Sequence, residues 1–368
     1  MVDFGIVDFG IYTGRRVLIT GHTGFKGSWL AAWLHSLGAR VTGYALDPYS
    51  EKDNFALSGI GAKIENDIRA DVRDRKALHE AFARHRPEIV FHLAAQPLVR
   101  LSYERPVETY EVNVMGTVNV LEELRQCPSA KVAVMVTSDK CYENRERWWG
   151  YREEDALGGY DPYSSSKGAA EIAIGAWRQS FMNPQRYGQH GKAVASARAG
   201  NVIGGGDWAL DRIIPDCIRA VESGRPIEIR SPQSVRPWQH VLEPLSGYLT
   251  LGAKLWGNPA KYAEAWNFGP AADSAMPVWD VAQMLVEEYG QGKLKDISDV
   301  DIDIFKDSPH EAKLLALDTA KARYELGWTP KWNIRTAIAK TVEWYKRYQK
   351  EDVHRLCLKQ IADYTGRL

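Results

Sequence analysis

Val17-Leu18-Ile19-Thr20 is an apolar run that breaks into Gly21-His22-Thr23-Gly24-Phe25-Lys26-Gly27, after which Ser28-Trp29-Leu30-Ala31-Ala32-Trp33-Leu34 sets apolar residues at helical spacing. A strand, three glycines in the pattern G-x-x-G-x-x-G and a helix are the parts of a βαβ unit that holds a dinucleotide. Gly21 allows a sharp turn, Gly24 lets the main chain approach a pyrophosphate, and Gly27 lets helix and strand pack closely. The first N–H groups of the helix then face the phosphates. His22, Phe25 and Lys26, carried between the glycines, are expected against the same cofactor.

The next apolar run, Val41 to Leu46, ends in Asp47, roughly 20 residues past the glycines, where a carboxylate accepts hydrogen bonds from the adenosine ribose. Such a carboxylate repels a 2′-phosphate, so the expected cofactor is NAD rather than NADP. Asp71 and Val72 end a further extended run and are expected at the adenine edge. A buried strand, Glu88 to Gln96, ends in Leu93, Ala94 and Ala95, small enough to pass close beneath a cofactor, with Gln96 expected toward the substrate. Strands alternating with helices predict an α/β fold, a doubly wound parallel sheet of Rossmann type with ligands at the strands' carboxyl ends.

At 368 residues the chain is long enough for two domains. The expected division is a leader over 1–13, an NAD-binding domain over 14–200, and a smaller, mainly substrate-binding α/β domain over 201–368, with the chain free to cross back between the two. The leader reading rests on the direct repeat of Val2-Asp3-Phe4-Gly5-Ile6 as Val7-Asp8-Phe9-Gly10-Ile11, which has no basic region and reads as disordered or appended. Lys plus Arg equals Asp plus Glu, at 47 each, so no global field recruits nucleic acid or an anionic membrane. No run approaches the roughly 20 apolar residues of a membrane span. The four cysteines lack paired or zinc spacing, which suits free thiols in the cytoplasm, and no histidine spacing suggests a metal.

The strand Val132 to Val136 stops at Thr137-Ser138-Asp139-Lys140, and Tyr163-Ser164-Ser165-Ser166-Lys167 follows. Tyr163 and Lys167, four apart, share one helical face. A lysine ammonium about 4 Å from a phenol at an effective dielectric of ~20 is worth ~4 kcal/mol, or about three pKa units. That is the expected route by which Tyr163 becomes a general base.

TGHTGFKG, HLAAQ, TSDK and YSSSK, in this order and spacing, resemble the extended short-chain dehydrogenase/reductase superfamily and, within it, the nucleotide-sugar 4,6-dehydratases. The resemblance implies that Tyr163, Lys167 and Ser138 handle the sugar C4 hydroxyl, with Thr137 beside the cofactor. It also implies that Asn201 and Arg236 hold the substrate diphosphate, with Arg212 and His310 as further contacts. Relatives acting on dTDP-sugars carry Thr-Asp-Glu where this chain has Ser138-Asp139-Lys140, and the lysine variant resembles the branch that acts on CDP-glucose. The implied reaction is C4 oxidation by NAD, elimination of water across C5 and C6 by Asp139 and Lys140, and return of the hydride to C6. Which of the pair is acid and which base stays open. A homodimer or dimer of dimers, and deoxysugar supply for lipopolysaccharide O-antigen, are implied by the same resemblance. A nucleotide-sugar 4-epimerase, which needs no elimination pair, and a silent NAD-binding regulator remain as alternatives.

Overall fold

In a computed structural model, which describes residues 8–295 and 314–366, seven parallel strands form the central sheet. Six come from the first part of the chain: β1 (Arg16–Thr20), β2 (Arg40–Ala45), β3 (Asn66–Arg69), β4 (Ile89–His92), β5 (Val132–Val136) and β6 (Ala193–Arg198). The seventh, Ala265–Asn267, adds beside β6, giving the order 3-2-1-4-5-6 followed by that strand. The order reverses between β1 and β4, where Thr20 lies opposite His92. A doubly wound sheet opens its ligand crevice at that point. Every residue of β4 and of β5 is buried, as strands covered by helices on both faces must be.

The chain crosses back after residue 200. The helix Leu242–Gly257 packs on β5 and β6, and the helix Val353–Thr365 packs on α1 (Phe25–Ser36). Trp33 and Tyr364 meet edge to face at 5.9 Å across that contact. One apolar core therefore runs through both parts of the chain. Part of the stretch read as a leader is folded as well. Phe9–Tyr12 forms a 3-10 turn, Phe9 stands edge-on to Trp33, and the fully buried Tyr12 donates its hydroxyl to the Leu249 carbonyl at 2.6 Å. Aromatic side chains have enough apolar area to anchor so short a segment.

Among the described residues no helix is long and apolar enough to cross a membrane, and all four cysteines are buried free thiols.

Candidate active site

Gly21 adopts φ +76°, and a Cβ there would stand 2.6 Å from the Ala94 nitrogen. The β1 turn and the Leu93-Ala94 segment therefore touch main chain to main chain, joined by Leu93 N to Thr20 O at 3.0 Å. A Cβ on Gly27 would lie 2.0 Å from the Gly21 carbonyl oxygen, so only glycine lets α1 start here. Gly24 differs: a Cβ there would meet nothing closer than 3.4 Å, and Gly24 caps α1 with no side-chain hydrogen bond. Its open approach and the free first turn of α1 fit a pyrophosphate.

Of the residues between the glycines, His22 is turned away from this cradle. Its ring is fully buried against Phe55 and Gly43, and Nε2 pairs with Asp67 at 2.8 Å. Burial holds it below the ordinary histidine range. His22 therefore offers the loop its main chain, while its ring packs behind β2. Phe25 packs toward Gly204. Lys26 reaches the catalytic side: burial first, then Arg212, bring its pKa down to about 8, against the pull of Asp139 and Asp207.

Asp47 stands exposed at the end of β2, 3.8 Å from Arg69 of β3. Arg69 also pairs with Asp67 at 2.8 Å and lies over the Phe55 ring. Asp71 is tied to its own neighbour, accepting from the Arg73 main-chain nitrogen at 2.8 Å and Nη2 at 2.7 Å, and Val72 is buried with its carbonyl accepting from Asn119 at 3.0 Å.

The catalytic candidates converge where β5 ends. Ser138 Oγ accepts from the Lys140 N–H at 3.2 Å and donates to Asp139 Oδ1 at 2.9 Å, so the 3-10 turn Asp139–Cys141 starts on a serine cap. Asp139 is buried over Gly200, where a Cβ would overlap its carboxylate, and Asn201 donates to Oδ2 at 3.4 Å. Asn201 holds φ +51°, a conformation asparagine tolerates better than most residues.

The helix Pro162–Ser180 begins on an Asp161 cap and carries Tyr163 and Lys167, both buried. Burial pushes the Tyr163 phenol up to about 12; a hydrogen bond with Ser138 and the charge of Arg212 lower it, while Asp139 raises it. Desolvation first, then Lys26, bring the pKa of Lys167 down to about 8. A pKa of about 8 still leaves most of the Lys167 side chain charged at neutral pH. Arg212, expected only as a substrate contact, stands beside Tyr163 and is fixed by Asp207 at 2.7 Å.

Two expected contacts are turned inward. Thr137 donates to Glu171, which also accepts from Ser196 at 2.7 Å and pairs with Arg198 at 2.8 Å. Gln96 is spent on Leu98 and Thr109, so its amide braces the β4 loop. Arg236 lies in a two-stranded sheet, Val235–Pro237 against Ala275–Pro277, with Nη1 donating to its neighbour Val235 O at 3.0 Å. His310 lies outside the described residues.

Sequence reading missed three supports. Asn113 is buried in a π-turn, Glu111–Met115. It bonds Gln96 N and O at 2.8 and 3.1 Å and Ser166 Oγ at 2.9 Å, joining the β4 loop to the Tyr163 helix. His92 bridges Thr20 at 2.7 Å and Thr117 at 3.1 Å, held near pKa 3 by burial and then by Lys167. Glu171 is the third. The available signal was a polar residue inside an apolar periodic stretch.

The profile described as GDP-mannose 4,6 dehydratase matches residues 18–341. The chain belongs to this dehydratase family. A curated member, the CDP-glucose 4,6-dehydratase of Salmonella typhimurium, is 49% identical over 362 residues, 98% of this chain and 99% of that protein. A probable dTDP-glucose 4,6-dehydratase of Sinorhizobium fredii is 28% identical over 342 residues, 90% and 92% of the two chains. Among solved structures, MoeE5 in complex with UDP-glucuronic acid and NAD superposes with a TM-score of 0.72 at 26% identity, covering 90% of this chain and 99% of that one. The dTDP-glucose 4,6-dehydratase from Bacillus anthracis in complex with NAD gives 0.74 at 20% identity, covering 94% and 100%, a likeness of fold. The resemblance to nucleotide-sugar 4,6-dehydratases is thus borne out, and the chain is a hydro-lyase of the dehydratase family.

Proposed function

We propose that the chain converts CDP-glucose to CDP-4-dehydro-6-deoxyglucose and water. The observation that carries this reading is the serine-capped turn holding Asp139 and Lys140 at the end of β5, in a chain 49% identical to a CDP-glucose 4,6-dehydratase. An epimerase has no use for an acid–base pair at that position.

NAD fits the Gly21–Gly27 cradle and Asp47, and when bound supplies the hydride acceptor and donor. The chain's own residues then divide the proton work. Tyr163 takes the proton of the C4 hydroxyl, with Ser138 positioned to share it and Arg212 to stabilise the phenolate. Asp139 and Lys140 serve the elimination, one removing the C5 proton once C4 is a ketone and the other protonating the departing C6 oxygen. Asp139 keeps its place through Ser138 and Asn201, whose hydrogen bonds fix both carboxylate oxygens. Asn201, Arg212, Arg236 and His310 belong to the substrate side in this reading. The exposed apolar residues Val107, Met115 and Ile172 support a dimer formed through their helices. Cytoplasmic synthesis of a deoxysugar for O-antigen completes the proposal.

Incubation with NAD and, separately, CDP-, dTDP-, GDP- and UDP-glucose, followed by mass spectrometry, tests it. Loss of one water from the CDP-sugar alone is expected. Epimer formation without water loss would make the Asp139–Lys140 assignment wrong, and water loss from a different nucleotide sugar would discard the CDP assignment alone.

A further inference from the structure

The amino ends of β1, β2 and β3 form the edge of the sheet opposite the catalytic crevice. A cavity of about 350 Å³ opens there, lined by Arg16, Arg40, Arg84 and Arg86 together with His85 and Glu65. Four arginines and one glutamate are among the lining residues, in a chain whose formal net charge is zero.

The arginines are not equivalent. Glu65 clamps Arg40 at Nε and Nη2, 2.8 and 2.6 Å, and Arg16 lies 3.5 Å from Glu88 while donating Nε to the Arg86 carbonyl at 2.7 Å. These contacts hold two cationic walls in place. Among the described residues, no carboxylate comes within ion-pair distance of Arg84 or Arg86, which end the helix Arg75–His85. Arg86 turns the chain there with φ +47°, so the helix stops at the rim of the cavity. The floor is polar too: Asn66 Nδ2 donates to Thr42 Oγ1 at 3.1 Å.

We propose that this cavity binds the polyphosphate group of a nucleotide, at a site separate from the catalytic crevice. Guanidiniums match phosphate oxygens in pairs and carry their charge at any physiological pH. The size suits a small ligand, and a cationic wall over a polar floor gives a lipid chain nothing to pack against. The five residues of β1, at ~3.3 Å each, separate Arg16 from the Gly21 turn.

Inorganic triphosphate and CTP, added at low salt to the full chain loaded with NAD, are the probes, read by hydrogen exchange and by calorimetric affinity. Both are expected to protect amides around residues 84–88 and 40–42. The Arg84→Ser/Arg86→Ser variant is expected to weaken this binding at least tenfold and leave turnover without probe unchanged. Arg84→Lys/Arg86→Lys, which keeps charge but loses the paired donors, is expected between the two and serves if the serine variant folds poorly. Equal affinity for both probes identifies the phosphates alone as the ligand, and tighter CTP adds the nucleoside. Protection confined to residues 20–27 and 138–140, equal binding by wild type and the serine variant, or no binding at low salt would each overturn the proposal.

Discussion

Glu171 Oε2 lies 2.8 Å from Arg198 Nη2, with the two side chains only 2% and 4% exposed. The pair sits directly behind the catalytic turn, since Thr137, the residue before Ser138, donates to the same carboxylate. Burial raises the Glu171 pKa, but Arg198, Thr137 and Ser196 outweigh it and hold the carboxyl below its ordinary range. A depressed carboxyl contributes stability that is complete above its unfolded pKa and is lost as pH falls through the folded value. Glu171→Gln leaves Arg198 buried without a counter-charge, an effect of about 3–5 kcal/mol. Urea denaturation at pH 7 is expected to show that loss, shrinking toward wild type in acid as the wild-type carboxylate is itself protonated. A loss that stayed constant with pH would remove the ion pair from the explanation.

Tyr163 and Arg212 give a prediction in the pH profile. Turnover needs the phenolate, and the folded phenol is pushed up to about 12, so kcat/KM is expected to rise with pH. Arg212 lowers that value and Asp139 raises it. Arg212→Gln is therefore expected to move the rising limb to higher pH, and Asp139→Asn to move it lower while cutting water loss by about 10²–10⁴. Limbs that moved the same way in both variants would show that another group titrates.

The sheet and the glycine loop were legible because their signals are local. β4 and β5 follow directly from apolar runs. Tyr163 and Lys167 were legible by their spacing as neighbours on one helical face, and the structure carries both on the helix Pro162–Ser180. What sequence could not supply were partners far apart in the chain. Arg212 stands 49 positions from Tyr163, and Lys26, in the first turn of α1, is a second lysine acting on Lys167. Thr137 and Gln96 sit where the motifs place them, but Glu171 and Thr109 take up their hydrogen bonds. Burial of polar groups demands such partners, and their identity is a property of the folded chain.

Arg69 bears on cofactor choice. Asp47 alone repels a 2′-phosphate, yet Arg69, steadied by Asp67 and the face of Phe55, puts a guanidinium 3.8 Å away. Arg69→Ala is expected to weaken NADP binding roughly tenfold while changing NAD little, since a charged hydrogen bond is worth about 1.5–3 kcal/mol. Asp47→Asn is expected to do the opposite. Fluorescence titration of both variants with both cofactors checks this, and an Arg69→Ala that weakened NAD as much as NADP would place the arginine on the adenine instead.

Gly24 and Gly27 separate the fold from the cofactor. A methyl group at Gly27 meets the Gly21 carbonyl and the His22 Cα, both main chain, so neither can move aside cheaply. Overpacking of that kind costs about 1–3 kcal/mol, and Gly27→Ala is expected to lower the Tm without any cofactor present. At Gly24 the nearest atom is at ordinary contact distance, and its φ of −73° suits alanine. Gly24→Ala is therefore expected to keep the wild-type Tm in the absence of cofactor and to lose NAD affinity, because the added methyl points into the space left for the pyrophosphate. Thermal melts with and without NAD distinguish the two. A Gly24→Ala protein that gained the same NAD-dependent stabilisation as wild type would show that the pyrophosphate does not approach the main chain at this residue.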